Sequence, residues 1–473
     1  MTSLLRRLTR PHSTTIRQGF STASAQARVN PKAASSRKSV DLDYALKPRE
    51  IVENLERFIV GQVDAKHAVA VALRNRWRRL HLSGPMLSEI TPRNILMIGP
   101  TGCGKTEIAR RLALLAQAPF VKVEATKFTE TGFHGRDVDH ILRDLIEASM
   151  AMIRAQRRKQ TAQHVDDLTE EKILSCLVGD DVQYKNAFRK LLREGRLEQQ
   201  VITVDVPFKD DQDRIDSFKD QADIITNIKK LVSAKKTIRT EMTVAEARPI
   251  LIEAESERIL ETGDLTADAI KLAEQNGIVF IDEIDKICTR KDSHRPSADA
   301  SAEGVQRDLL PLIEGSVVNT KYGNITTDHI LFIASGAFHA VKPSDLLAEL
   351  QGRLPIRVEL RGLDEADLYR ILTEPEFNLI KQQVALLAAE NLALKFSDES
   401  IREIARIANL LNRTVENIGA RRLHTVIEKI VADISFNAPD YPEDQREITI
   451  DAEYVRQRLA PLITNTDLSK FVL

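Results

Sequence analysis

Cysteine is scarce in this chain of 473 residues, and long apolar runs are absent from it. Cys103, Cys176 and Cys288 are too few and too scattered for a disulfide framework or a CxxC zinc site, and such sparing use of thiols fits a reducing compartment. The longest apolar runs, such as residues 278–281, have the length of a strand, whereas a membrane-spanning helix needs about 20 apolar residues. The sequence therefore excludes a disulfide scaffold, a cysteine-ligated structural zinc and an integral membrane protein.

The remaining composition is that of a folded protein. Hydrophobic residues make up 42% of the chain and charged residues 29%, a balance typical of globular domains rather than of disordered or low-complexity chains. At about 150 residues per domain, the length predicts about three domains.

Acidic residues are missing from the first 40 positions. This segment holds eight Lys and Arg residues, is rich in Ser and Thr, and places Leu4, Leu5 and Leu8 among arginines as in a short amphipathic helix. Such a composition is typical of a mitochondrial transit peptide, so residues 1–40 are predicted to be a leader that directs the protein to the mitochondrial matrix. A disordered basic tail or a nucleic-acid-binding arm is the alternative.

The body of the chain is acidic once this leader is set aside. Removing its eight cations from the 68 of the whole chain leaves 60 basic residues against 69 acidic ones, a formal charge of −9. This balance argues against a general affinity for DNA, and no nucleic-acid partner is expected.

Short apolar segments separated by helical patterns indicate a parallel α/β sheet. These segments are residues 93–98, 120–123, 277–282 and 329–334. Between them, from about 154 to 269, the chain becomes charged and helical in pattern, with few candidate strands, among them residues 201–206. The predicted division is a core in two parts, 41–153 and 270–361, an inserted and mostly helical domain at 154–269, and a C-terminal α domain at 362–473.

Residues 99–106 read Gly-Pro-Thr-Gly-Cys-Gly-Lys-Thr and match the phosphate-loop pattern G-x-x-x-x-G-K-[ST] in full. The glycines allow the backbone to curl so that consecutive N–H groups point at phosphate oxygens, and the following helix adds its positive N-terminal end. Lys105 is predicted to neutralise the β and γ phosphates, and the Thr106 hydroxyl to bind Mg²⁺. Cys103 is interpreted as a packing residue within this loop.

A buried strand at residues 278–281 ends in Asp282 and Glu283. Asp282 can hold Mg²⁺, and Glu283 can orient and deprotonate the water that attacks the γ phosphate. Acidic residues at strand ends are common, so the assignment depends on the phosphate loop that precedes it in the chain.

With these motifs the chain resembles the AAA+ ATPases, and more closely the HslU-type unfoldases that drive the HslV protease. The resemblance runs from about Leu46 to Leu473. The segments that carry it, besides the two motifs above, are Gly61-Gln62 with residues 68–79, and residues 306–311, 351–360 and 419–426. It implies an α/β fold with an AAA+ phosphate-loop core, a parallel sheet, the helical insertion and the C-terminal α domain.

The resemblance also implies roles for single residues. Arg353 would act as an arginine finger on the γ phosphate of the neighbouring subunit, and it joins Lys105 and Glu283 as a catalytic residue. Arg421 would be the second sensor, Ser335 would stand at the first sensor, where many relatives have Asn, and Val60 would contact the adenine. The ATP-binding positions implied in this way are Val60, Gly102, Cys103, Gly104, Lys105, Thr106, Glu107, Asp282, Ser335, Glu349 and Arg421.

Two further segments of the resemblance concern macromolecular partners. Residues 132–135, Gly-Phe-His-Gly, occupy the position of a pore loop, in which Phe133 would grip an unfolded chain and His134 replaces the usual aliphatic residue. A plain surface turn is the alternative. The chain ends in Phe471, Val472 and Leu473, which resemble the tail that docks into the protease; the tail could instead pack on its own C-terminal domain.

The sequence therefore predicts an ATP-dependent unfoldase that uses Mg²⁺, forms a homo-hexameric ring with or without a sister subunit, and feeds unfolded proteins to an HslV-type peptidase. A ClpX-like unfoldase is the first alternative, although such proteins usually carry an N-terminal zinc module, and no Cys precedes Cys103. A nucleic-acid-remodelling motor and an inactive, nucleotide-locked scaffold are further alternatives, which the acidic body and the intact catalytic residues disfavour.

Overall fold

The computed structural model describes residues 46–128, 137–179, 182–207, 237–261, 264–288, 296–442 and 446–464. The helices are α1 Pro48–Glu56, α2 Val63–Leu80, α3 Met86–Glu89, α4 Lys105–Leu115, α5 His140–Val178, α6 Val182–Arg193, α7 Val244–Glu261, α8 Leu265–Asn276, α9 Pro296–Glu314, α10 Ala348–Arg353, α11 Glu365–Thr373, α12 Leu379–Ala388, α13 Asp398–Thr414, α14 Arg421–Asn437 and α15 Ala452–Thr464. The strands are β1 Ile95–Ile98, β2 Phe120–Glu124, β3 Val201–Pro207, β4 Thr237–Thr243, β5 Ile278–Asp282, β6 Val317–Thr320, β7 Gly323–Thr326, β8 Leu331–Gly336, β9 Ile356–Glu359, β10 Ala393–Phe396 and β11 Glu447–Ile450.

A five-stranded parallel sheet forms the core, in the order β2-β5-β8-β1-β9. Successive side chains of a strand point to opposite faces, and both faces here are covered. Ile278 and Phe280 of β5 therefore belong to one apolar cluster, with α1, α2 and α4, while Val279 and Ile281 belong to another, with α5 and α9. This two-sided burial explains why the strand is an unbroken apolar run, and the α/β prediction is confirmed.

The predicted insertion is joined to the core through helices. Helix α5 has 39 residues and passes through the predicted boundary at residue 153, and α8 passes through the boundary at residue 269. Beyond the core, α5 packs with α7 and with the antiparallel pair β3–β4 around a small apolar cluster that includes Ile173 and Ile202. The boundaries themselves stay predictions.

The C-terminal part, α11 to α15, encloses its own apolar cluster. Between its helices the structure adds the parallel pair β10–β11, which the prediction of an all-α domain missed. Within the described ranges, no helix combines the length and the apolar character needed to cross a bilayer.

Candidate active site

The phosphate loop follows β1 and leads directly into α4, as predicted. Lys105 is the first residue of this helix, and its Nζ donates to the carbonyl oxygens of Gly99 at 2.5 Å and Pro100 at 2.8 Å. Gly102 has a φ of +74°, and a Cβ atom there would lie 2.0 Å from the carbonyl oxygen of Ile418. Glycine is therefore required at this position for both conformation and space.

Asp282 lies at the carboxyl end of β5, next to the phosphate loop. Its Oδ1 accepts a hydrogen bond of 2.7 Å from the Ser335 hydroxyl, and its Oδ2 lies 3.2 Å from Nζ of Lys122. The Thr106 hydroxyl donates to the same Oδ2 at 3.4 Å. Burial raises the pKa of Asp282, but Ser335 and Lys122 together outweigh it and hold the pKa below its usual value, so the carboxylate is ionised.

Glu283 stands at the rim of the same cleft, in a left-handed backbone conformation with a φ of 58°. Non-glycine residues rarely adopt this conformation, and strained backbone concentrates at functional sites. The carboxylate accepts a hydrogen bond of 2.8 Å from Nζ of Lys286 and is partly exposed, so water can reach it.

The cleft between the sheet and the C-terminal helices has a volume of about 610 Å³. Val60 lines its apolar end together with Phe58, Leu363, Ile371 and Phe377. Gln62, two residues after Val60, ties this segment to the backbone of Arg361, because its side chain donates to the carbonyl oxygen of Arg361 at 2.9 Å and accepts from the Arg361 N–H at 3.0 Å. An apolar slot joined to a polar, glycine-lined end suits a nucleobase and its phosphates.

Two of the remaining predicted residues of the loop region also line the cleft. Cys103 is buried, and burial raises the pKa of its thiol, although Lys105 partly opposes this; the side chain is a neutral packing group, in line with the interpretation from the sequence. Glu107 faces Arg110 and Arg111. Burial raises its pKa, but these two arginines outweigh that effect and lower it below the usual value.

Arg421 reaches the cleft from the first turn of α14, so the C-terminal part contributes a cation to the phosphate end. Arg353 and Glu349 lie elsewhere, on α10, and neither lines this cleft. Arg353 instead pairs with Glu314, with Nε 3.0 Å from Oε1, and it is half exposed. One chain therefore does not bring its Arg353 to its own phosphate loop.

The two partner-binding predictions lie outside the described residues. Phe133 and His134 belong to the segment 129–136, and Phe471, Val472 and Leu473 to the segment 465–473, and neither segment is described.

Several cleft residues were not predicted from the sequence. Lys122, which pairs with the cleft residue Asp282, gave a signal that could have been used, since it is the only charged residue among residues 120–123 of the strand beside the one that ends in Asp282. Phe58 stacks on Phe377 with 6.3 Å between ring centroids, and Arg111 lies 3.9 Å from the Phe58 ring centroid. These contacts join segments far apart in the chain, so spacing alone gave no sign of them.

The sheet order, the phosphate loop and the acid pair define a phosphate-loop ATPase of the AAA class. The family model described as "ATPase family associated with various cellular activities (AAA)" matches residues 95–201, and the model described as "AAA domain (Cdc48 subfamily)" matches residues 220–358.

Curated relatives narrow the class. The ATP-dependent protease ATPase subunit HslU of Beijerinckia indica is 54% identical over 434 residues, which cover 90% of this chain and 99% of the relative. The proteins of the same name from Rhodospirillum centenum and Caulobacter vibrioides are each 53% identical, over 91% and 90% of this chain. The chain belongs to the HslU family of AAA ATPases, and this favours the HslU reading over the ClpX-like one.

Proposed function

We propose that this ATPase works as a homo-hexameric ring in the mitochondrial matrix, unfolds proteins and feeds them to an HslV-type peptidase. The observation that carries the proposal is the composition of the cleft. Lys105, Asp282 and Glu283 come from the core, whereas Arg421 comes from the C-terminal part. Because one bound nucleotide would contact both parts, its hydrolysis to ADP and phosphate can change how they are held together.

The described residues fit a magnesium nucleotide. The Thr106 hydroxyl and the ionised Asp282 carboxylate lie together at the phosphate end, and both offer the oxygen donors that Mg²⁺ prefers. Within the described residues there is no cluster of three or more His, Cys, Asp or Glu side chains that could hold a metal alone, which suits an ion held jointly with phosphates. Bound there, Mg²⁺ would neutralise charge on the β and γ phosphates.

The side chains divide the remaining work. Lys105 is placed to exchange its bonds to loop carbonyl oxygens for bonds to the phosphates. Glu283, at the rim, is placed to orient a water molecule and accept its proton. Arg421 would hold the phosphates from the C-terminal side.

Replacing Glu283 by Gln tests the catalytic assignment. The variant keeps the shape of the side chain but loses the base, so we expect it to bind ATP as the unaltered protein does and to hydrolyse it at least 100-fold more slowly. Nucleotide titration and phosphate release measure the two properties. Equal turnover in both proteins would contradict the role of Glu283.

The protease partner is supported by the name of the relatives, which are ATPase subunits of an ATP-dependent protease. Deleting residues 469–473 tests the docking role of Phe471, Val472 and Leu473. We expect the shortened protein to hydrolyse ATP normally and to lose most of its ATP-dependent stimulation of an HslV-type peptidase. Unchanged stimulation would refute docking through the tail and leave the ATPase assignment intact.

The pore-loop proposal concerns Phe133 and His134. Replacing Phe133 by Ala should abolish ATP-dependent degradation of a folded substrate while peptide cleavage by the assembled complex persists, because a peptide needs no pulling. Replacing it by Tyr keeps a ring and should keep degradation. Degradation by the Ala variant at the normal rate would remove the loop from the mechanism.

The mitochondrial location is supported by the composition of residues 1–40, which contain eight cations and no acidic residue. Fused to a fluorescent protein, these residues should drive import into isolated, energised mitochondria. A matched fusion with Arg6, Arg7 and Arg10 changed to Gln should remain outside. Import of both fusions, or of neither, would contradict a leader of this kind.

A further inference from the structure

The turn between α13 and α14 lies directly against the phosphate loop. The N–H of Ala420 donates to the carbonyl oxygen of Gly102 at 3.1 Å. A Cβ atom on Gly102 would lie 2.0 Å from the Ile418 carbonyl oxygen, and one on Gly419 would lie 2.7 Å from the Thr101 carbonyl oxygen. The backbone of residues 418–420 therefore packs directly on the backbone of residues 101–102, with no side chain between them. A shift of one of these segments would displace the other.

Two buried side chains hold this turn in place. Asn412 of α13 donates from Nδ2 to the carbonyl oxygen of Gly419 at 3.1 Å, and its Oδ1 accepts from Nε of Arg422 at 3.4 Å. Arg422 also donates from Nη2 to the carbonyl oxygen of Glu416 at 2.7 Å. Asn412 is 8% exposed and Arg422 is 4% exposed, so water competes little for these bonds.

The neighbouring arginines 421 and 422 thus have different surroundings. Arg421 lines the cleft, whereas Arg422 does not line it and is committed to the turn. Burial lowers the pKa of Arg422, opposed by Glu416. Burying a guanidinium costs free energy unless hydrogen bonds compensate for the lost water. Here the compensating bonds go to Asn412 and to the carbonyl oxygen of Glu416 in the turn.

We propose that Asn412 and Arg422 are positioning residues for the phosphate end of the nucleotide. By fixing residues 416–420, they hold the phosphate loop in its binding curvature and direct Arg421 into the cleft. Neither side chain lines the cleft. The inference rests on the proposed role of Arg421 and extends it to the residues that make that role possible.

This arrangement separates phosphate recognition from nucleobase recognition. The apolar end of the cleft is built by residues such as Val60, Leu363 and Phe377, none of which contacts the turn through a described hydrogen bond. Loosening the turn should therefore weaken ligands that carry β and γ phosphates and leave adenosine largely unaffected.

The test compares Asn412→Ala with Asn409→Ala in the full-length chain. Asn409 lies on the same helix with the same exposure of 8%, and no hydrogen bond described for the turn involves it. We expect Asn412→Ala to weaken ATP and ADP binding by about tenfold, because an anchoring bond and a bond to a charged partner are lost. Adenosine binding should change less than twofold, and Asn409→Ala should change none of the three affinities.

A double-mutant cycle identifies the route of the effect. If Asn412 acts by placing Arg421, then adding Asn412→Ala to Arg421→Ala should weaken ATP binding much less than it does in the unaltered protein. Arg422→Lys keeps the charge and loses the fork of donors, so it should fall between the unaltered protein and Asn412→Ala, and it replaces that variant if the latter fails to fold.

Three results would overturn the inference: an ATP affinity unchanged by Asn412→Ala, an equal loss of ATP and adenosine affinity, or full additivity with Arg421→Ala. The proposed function fails separately, when Arg421→Ala binds and hydrolyses ATP normally. A clear effect of Arg421→Ala with none of Asn412→Ala defeats the positioning role alone.

Discussion

At the residue scale, Ser335, which the sequence analysis assigned to the first sensor, holds Asp282. Its hydroxyl lies within a fully buried strand and donates to the Asp282 carboxylate at 2.7 Å. The hydroxyl directs its proton at the carboxylate, so Ser335 orients the acidic residue. We therefore expect Ser335 to influence catalysis through Asp282.

Removing this hydroxyl should slow hydrolysis. A hydrogen bond to a charged group contributes about 1.5–3 kcal/mol, so Ser335→Ala is expected to lower kcat by at least about tenfold, with a smaller change in KM. Phosphate release at saturating ATP measures the effect, and the far-ultraviolet circular dichroism spectrum checks the fold. Normal kcat in a folded variant would show that Asp282 keeps its orientation without Ser335.

Residues adjacent in the chain were the ones that the sequence could predict. Two short motifs could be interpreted without knowledge of the fold. One contains Lys105 and Thr106, and the other contains Asp282 and Glu283. Lys122 and Gln62 were missed, because each acts on a partner far away in the chain: Asp282 in one case and the backbone of Arg361 in the other.

At the scale of elements, Glu403 ties α13 to α15. The carboxylate is 7% exposed and accepts hydrogen bonds from Arg406 at 2.6 Å and from Arg456 at 3.1 Å. Arg406 lowers the pKa of Glu403 most, burial opposes it, and Arg456 adds to the lowering. The carboxylate is thus stabilised in its ionised form by Arg406 of its own helix and, to a smaller extent, by Arg456 of α15.

Glu403→Gln should destabilise the C-terminal part in a pH-dependent manner. Because both arginines are half exposed or more, we expect a loss of only about 1–2 kcal/mol at neutral pH. The folded pKa is depressed, so this stabilisation is present above the unfolded pKa and is lost as the pH falls through the folded value. Urea unfolding of both proteins should therefore differ at pH 7 and converge in strong acid; a constant difference would exclude the carboxylate charge as its cause.

Helices and strands could be predicted from the sequence where their burial requires a recognisable run of apolar residues. The strand β5 is enclosed on both faces and reads as four consecutive apolar residues. Strand β4 carries three exposed polar residues in a row, and β10 has only Leu394 fully buried, so both strands were missed. The change to a charged composition near residue 154 suggested a domain boundary. Helix α5 continues across it because residues 140–178 contain neither Gly nor Pro.

At the scale of the whole molecule, Arg353 is outside the cleft of its own chain and paired with Glu314. This placement supports a site completed by a neighbouring copy. Such a site divides its catalytic groups between two chains, which makes them separable by mixing variants.

Co-assembly of Arg353→Ala with Glu283→Gln should restore activity that each variant lacks alone. A site regains function when its own chain keeps Glu283 and its neighbour keeps Arg353, which holds for roughly a quarter of the sites in a random equal mixture. Phosphate release from the mixture, against each variant separately, measures the recovery. No recovery in rings shown to be mixed would place the finger in the same chain as Glu283.

The length of α5 has a mechanical consequence. Its 39 residues, at a rise of 1.5 Å each, amount to about 58 Å of helix axis. One end packs beside β2 and shares an apolar cluster with β5, and the part nearer the other end contacts β3 of the β3–β4 ribbon. A tilt of about 10° at the anchored end would sweep the far tip through roughly 10 Å. A small tilt of α5 at the end beside β2 would therefore displace the β3–β4 ribbon by a distance as large as a side chain.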